Sequence, residues 1–140
     1  MSAPVDLQRF VDAQVTTYAT ALAEIRAGSK RSHWMWFVLP QIQGLGRSET
    51  ARRYAIASRE EASAYLEHPL LGPRLREITA AALGHPELSA TALFGTPDDL
   101  KFHSCLTLFA AVAEDPEPFR QALKTFFAGR PDEATLARLV

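Results

Sequence analysis

Apolar side chains recur at helical spacing along nearly the whole chain. Leu7, Phe10, Val11, Gln14, Tyr18, Leu22 and Ile25 share one face of a helix of about twenty residues, and Gly28 stands where a C-terminal cap belongs. Ser48 can cap a short helix running through Tyr54, and Ser58-Arg-Glu-Glu61 is a capping-box pattern opening another that ends before His68-Pro69. Pro69 and Pro73 head a helix carrying Leu71, Leu75, Ile78 and Ala82, stopped by Gly84, and a turn or two follows around Ser89–Phe94. Thr96-Pro97-Asp98-Asp99 supplies a capping hydroxyl, a proline at the first helical position and acids facing the positive end of the helix dipole. The helix it opens places Phe102, Leu106, Phe109 and Ala113 together. Asp115-Pro116 starts the next, with Phe119, Leu123, Phe126 and Phe127 inward and Gly129 after its end, and Pro131-Asp132-Glu133 begins a short last helix with Leu136 and Leu139. No repeat or linker interrupts the pattern. It predicts one compact all-α domain spanning 1–140, built of about six to eight short helices.

Only residues 33–39 are ambiguous. As a helix, Trp34, Phe37 and Val38 share a face; as a strand, Trp34, Trp36 and Val38 do. No second strand-like run exists to pair with this one, so a short helix is the better reading, limited by Pro40. Residues 41–46, Gln-Ile-Gln-Gly-Leu-Gly, then form a loop.

Composition narrows the class. The 140 residues are 47% hydrophobic and 22% charged, as in a globular protein, and the longest apolar run, Trp34–Leu39, is far short of a membrane span. Cys105 is the only cysteine, which excludes an internal disulfide and a thiolate zinc cluster, and no secretory signal is visible; the expectation is a cytoplasmic protein. The net charge is −1 but uneven: Arg26, Lys30, Arg31, Arg47, Arg52, Arg53 and Arg59 face one acid, Glu49, within residues 26–59. Such asymmetry points to an anionic ligand or partner at one face, although charged surfaces are often only solvated.

The candidate chemistry gathers in residues 29–48, which hold both tryptophans, a histidine, three bases and two glycines. Lys30, Arg31 and Arg47 can hold phosphate or carboxylate by charge-assisted hydrogen bonds. Trp34 or Trp36 can stack on a planar group, worth roughly 1–3 kcal/mol, though paired tryptophans also serve as core anchors. Ser32, Gln41 and Gln43 offer polar edges, and Gly44-Leu-Gly-Arg-Ser48 can cradle an anion at a helix start or be a plain turn with Ser48 as its cap. The spacing is neither that of a P-loop nor, with no strand before it, of a dinucleotide fingerprint. His33 is the candidate catalytic residue, since histidine is the side chain suited to proton transfer near neutral pH. Lys101 and Ser104 share a face of the helix after Thr96 and can meet the aromatic segment across a cleft; a Lys-Ser pair can also support nucleophilic chemistry. His33, His68, His85 and His103 show no metal-ligand spacing, and the paired carboxylates Glu60-Glu61, Asp98-Asp99 and Asp132-Glu133 are explained by helix dipoles. Neither a metal nor a cofactor is expected, and Cys105 reads as a buried, inert thiol.

Lys30-Arg-Ser-His-Trp-Met-Trp-Phe37, with Pro40-Gln41 and Gly44-Leu-Gly-Arg-Ser48, resembles the hallmark of a bacterial family known as domain of unknown function 1810. Asp6-Leu-Gln-Arg-Phe10, His68-Pro-Leu-Leu-Gly-Pro73 and Phe94-Gly-Thr-Pro-Asp-Asp-Leu-Lys101 extend the resemblance over residues 6 to 139. The chain departs from it at Lys101-Phe-His-Ser-Cys105, where relatives tend to carry a second serine. The resemblance implies a compact all-helical fold and no established activity.

Two readings of function follow. The first is a pocket, built from residues 29–48 and the 96–113 helix, that binds and conceivably hydrolyses a nucleotide-like or ADP-ribose-like anion. The alternative is an interaction module whose basic segment docks an acidic partner, with the tryptophans as anchors. Overall acidity and the lack of a helix-turn-helix argue against nucleic acid. No motif fixes the oligomeric state.

Overall fold

The computed structural model describes residues 6–139, and no strand occurs among them. Nine helices follow in order: α1 (Gln8–Arg26), α2 (Met35–Val38), α3 (Glu49–Arg53), α4 (Arg59–Glu67), α5 (Leu71–Leu83), α6 (Ala90–Phe94), α7 (Asp98–Val112), α8 (Phe119–Phe127) and α9 (Glu133–Ala137). The all-α expectation holds. Among the described residues no helix is long and apolar enough to cross a membrane.

The centre of the fold is α7. Phe102, Ser104, Cys105, Leu106, Thr107, Leu108 and Phe109 are all buried, so apolar surface runs right round the helix instead of along one stripe. It packs against α4, α6, α8 and α9, while α1 lies on α5 and α2, and α5 also meets α4 and α8. A core of Phe10, Trp34, Tyr65, Phe102, Phe109 and Phe119 joins these layers. Burial pushes the Cys105 thiol well above its usual range, which keeps it protonated and unreactive.

Local chemistry sets most helix ends. After Arg26, Gly28 adopts φ 82°, the Gly28 amide donates to the Ile25 carbonyl at 2.9 Å and the Ser29 amide to that of Glu24 at 3.1 Å, a Schellman closure. Ser48, Ser58 and Ser89 accept from the amides of Ala51, Glu61 and Ala92, as N-caps do. Residues 35–38 are helical, and the loop after them is pinned by a parallel bridge between Ile42 and Ile56. Two expected starts move. The Thr96 hydroxyl donates to the Asp99 carboxylate instead of capping the backbone, and α7 begins at Asp98. In the next connection Asp115 accepts from the Glu117 amide, making a turn, so that α8 begins only at Phe119.

Arg9 fixes the segment that carries the basic residues. Its Nη2 donates to the Glu61 carboxylate at 2.8 Å and the Ala55 carbonyl at 2.9 Å, and its Nε to the Arg53 carbonyl at 2.8 Å. The start of α1 is thereby tied to the α3–α4 connection.

Candidate functional site

The Schellman turn after α1 reverses the chain and sends Lys30 beneath the start of α7, where the Lys30 amide donates to the Leu93 carbonyl at 2.9 Å. The Lys30 ammonium is nearly enclosed, its side chain 5% exposed. It lies 2.6 Å from Asp98 Oδ2, donates to the Ser32 carbonyl at 2.5 Å, and stands 5.0 Å from the centre of the Trp34 ring. The other oxygen of Asp98 faces Lys101 Nζ at 3.4 Å, and that ammonium sits 4.5 Å over the Trp36 ring. A lysine–aspartate–lysine chain thus crosses the junction of residues 30–36 with α7.

Lys30, His33, Trp36, Thr96, Asp98 and Lys101 surround a cleft of about 250 Å³. Its cations are unequal. Lys30 is locked by a short ion pair and by burial, whereas Lys101 is 22% exposed and holds Asp98 at a longer distance. An incoming anion would therefore recruit Lys101 first and meet Lys30 as fixed positive charge behind Asp98. Exposed His33 stands at the rim and makes no hydrogen bond among the described residues, so nothing in the protein orients its ring for proton transfer.

The two tryptophans divide their labour. Trp36 is half-buried and forms a wall of the cleft. Trp34 is 1% exposed and donates from Nε1 to Glu24 at 2.9 Å. Expected as a ligand platform, it is instead a core residue backing Lys30. Glu24 also accepts from the Ser32 hydroxyl at 2.6 Å and from the amides of Arg31 and Ser32 at 2.9 and 3.0 Å. Burial raises the pKa of this carboxyl, but the four hydrogen bonds outweigh it and bring the value down to about 2. Ser32 is therefore occupied in holding Glu24, and the Arg31 side chain is exposed beside Glu24 and Ser29, away from the cleft.

The remaining expected residues scatter. Gln41 and Gly46 border a void of only about 10 Å³ against Trp36, Tyr54 and Lys101, room for about one water. Gly44, Gly46 and Arg47 belong to a separate open depression with Arg52 and Arg138. Ser48 caps α3. Ser104 is turned from the cleft: buried, it donates to Asp132 Oδ2 at 2.9 Å, where Thr135 also donates at 2.5 Å, and its Oγ lies 3.1 Å from the Leu100 carbonyl oxygen. That serine secures the start of α9, and of the two residues expected to meet the aromatic segment across a shared cleft only Lys101 lines it.

Sequence reasoning passed over Asp98, Glu24 and Arg138. Asp98 was accounted for by the helix dipole, and only its spacing of three from Lys101 hinted at an ion pair. Glu24 looks like solvated polar surface on α1. Arg138 reaches the 44–47 loop from the far end of the sequence, and no local signal announces it. Among the described residues no group of histidine, cysteine or carboxylate side chains is arranged to hold a metal.

Fold and cleft together define a small all-helical protein with a basic, tryptophan-walled cleft at the head of its central helix. The chain belongs to the family described as protein of unknown function (DUF1810), whose profile matches residues 4–139. It is similar to the crystal structure of the conserved hypothetical protein Rv1873 from Mycobacterium tuberculosis, with 49% sequence identity, a TM-score of 0.95 and 98% of each chain covered. No curated protein matches it.

Proposed function

We propose that this protein binds a small anionic metabolite with a flat end, of the nucleotide or ADP-ribose class, in the cleft between residues 30–36 and the head of α7. The observation that carries this reading is Trp36 with Lys101 4.5 Å above its ring, at the wall of a cleft of about 250 Å³. An aromatic face and a movable ammonium suit a planar group next to a phosphate or carboxylate, and Lys30 neutralises Asp98 so that the charge of Lys101 is left for the ligand. Ligand pockets run from roughly 300 Å³ upward, so the cleft suits one base or one sugar-phosphate unit rather than a whole dinucleotide. His33 at the rim is the group available to move a proton, should the bound molecule be hydrolysed. The free, buried Cys105 suits a reducing compartment, and we take the cytoplasm as the setting.

The test is a thermal-shift series against nucleotides, ADP-ribose, NAD and sugar phosphates, with wild type, Lys101→Ala and Trp36→Phe. A ligand at 100 times its dissociation constant stabilises the native state by about 2.7 kcal/mol. The expected result is a rise of several degrees in wild type that Lys101→Ala loses and Trp36→Phe weakens. Silence across the panel, or an equal response in both variants, would overturn the reading and favour an acidic protein partner on the basic segment.

A further inference from the structure

The bases of the 29–59 segment do not all serve the Trp36 cleft. Arg47 in the loop, Arg52 on α3 and Arg138 at the end of α9 converge on a second depression of about 450 Å³, completed by Gln43, Gly44 and Gly46. Among the described residues no carboxylate lines it. None of the three guanidiniums forms an ion pair among the described residues, whereas Arg9, Arg26 and Arg120 all do.

The depression is held in shape by close contacts. Gly44 has φ 95°, and a methyl group there would lie 2.6 Å from Arg138 Nη1 and 2.8 Å from its Cζ, so the guanidinium rests directly on the bare α-carbon. A methyl group at Gly46 would lie 2.5 Å from the Ala51 side chain, so the loop is seated on α3 just as closely. The 44–47 loop and α3, neighbours in sequence, are thereby brought against the distant end of α9, and their three arginines line one space. Water and salt screen their repulsion, but an anion shared among them would remove it.

We propose that this depression is an oxyanion site taking the phosphoryl group of a small hydroxyl-bearing phosphorylated compound, independently of the Trp36 cleft. A carboxylate has one charge and two oxygens and is satisfied by a single bidentate guanidinium. A phosphoryl group carries close to two charges at neutral pH and presents three acceptor oxygens, which suits three guanidiniums arriving from three elements. Gln43 adds selectivity. Its Nε2 donates to the Ala57 carbonyl at 3.0 Å, which leaves Oε1 to accept a hydrogen bond from a hydroxyl beside the phosphoryl group.

The experiment is a calorimetric titration of the purified protein with inorganic phosphate and with ribose 5-phosphate at constant ionic strength, using sodium chloride, ribose and poly-glutamate as controls. Binding is expected for both phosphorylated probes, tighter for ribose 5-phosphate than for inorganic phosphate, and absent for ribose. Arg52→Gln and Arg138→Gln, both at exposed positions, are each expected to weaken the binding of inorganic phosphate at least tenfold, while Arg120→Gln, exposed on α8 and outside both clefts, leaves it unchanged. Three results would overturn the proposal: heat that chloride reproduces, affinity that survives the Arg52→Gln/Arg138→Gln double variant, or binding of poly-glutamate with no response to phosphate. Loss of binding in Lys101→Ala instead would mean that one cleft serves both readings.

Discussion

Lys30 Nζ and Asp98 Oδ2 stand 2.6 Å apart, and the ion pair they form joins the loop after α1 to the first residue of α7. Removing Asp98 strands Lys30, which has almost no access to water, whereas Asp98 is 20% exposed and keeps Lys101 as a second partner. Breaking such an enclosed pair costs about 3–5 kcal/mol, far more than a surface pair is worth. Asp98→Asn is therefore expected to lower stability by roughly 3 kcal/mol, read as a drop in urea midpoint at unchanged slope. Lys30→Met/Asp98→Leu together should cost less than the sum of the single changes. Additive losses would show that the pair is not coupled.

Glu24 makes the acid stability of the protein depend on one turn. Its pKa is about 2 in the folded protein against 4.5 for an unperturbed glutamate. The stabilisation is fully present above about pH 4.5 and is lost as pH falls toward about 2, because the unfolded chain takes up the proton first. Thermal melts from pH 6 to 2 should show wild type losing more stability across that window than Glu24→Gln, which starts less stable at neutral pH. Parallel acid limbs would remove Glu24 from the account.

The approach of α4 to α5 leaves no room for a side chain at Gly72. A methyl group there would lie 2.0 Å from the Leu66 carbonyl oxygen, a backbone atom that cannot step aside. Gly72→Ala is expected to cost roughly 3 kcal/mol or more by overpacking. Gly95→Ala, with open space around it but at φ 76° and ψ 173°, a conformation essentially reserved for glycine, should cost about 1–3 kcal/mol of backbone strain. Denaturant melts of the two variants give the ranking; the reverse order would contradict the packing described for α4 and α5.

Ser104 is placed to fasten α9, not to attack a substrate. Removing its hydroxyl in Ser104→Ala costs Asp132 one of its two hydroxyl donors and should lower stability by about 1 kcal/mol. Hydrogen exchange should quicken across Glu133–Ala137, while any ligand response at the Trp36 cleft stays as in wild type. A lost ligand response with unchanged exchange would return Ser104 to the site.

Helical periodicity and capping residues in the sequence determined the all-α class and most helix boundaries, because those signals lie within one or two turns of each other. Ser48, Ser58 and Ser89 are caps wherever those segments are helical, and Gly28 closes α1 by its own conformational freedom. The same reasoning found the basic, aromatic stretch at 29–48 but could not divide it. The helical reading separated Trp36 from the face of Trp34, Phe37 and Val38 but did not say which face is inward, and only packing decides that Trp34 lies in the core while Trp36 borders a cleft. Spacing on α7 suggested that Lys101 and Ser104 act together. In the fold they serve different neighbours, because α7 packs against four other helices and buries Ser104 while Lys101 stays at the cleft. The Lys30–Asp98 pair and the meeting of Arg47, Arg52 and Arg138 join residues 68 and 91 positions apart at their widest. Attraction and close approach over such separations exist only once the chain has closed, so tertiary structure alone decided them.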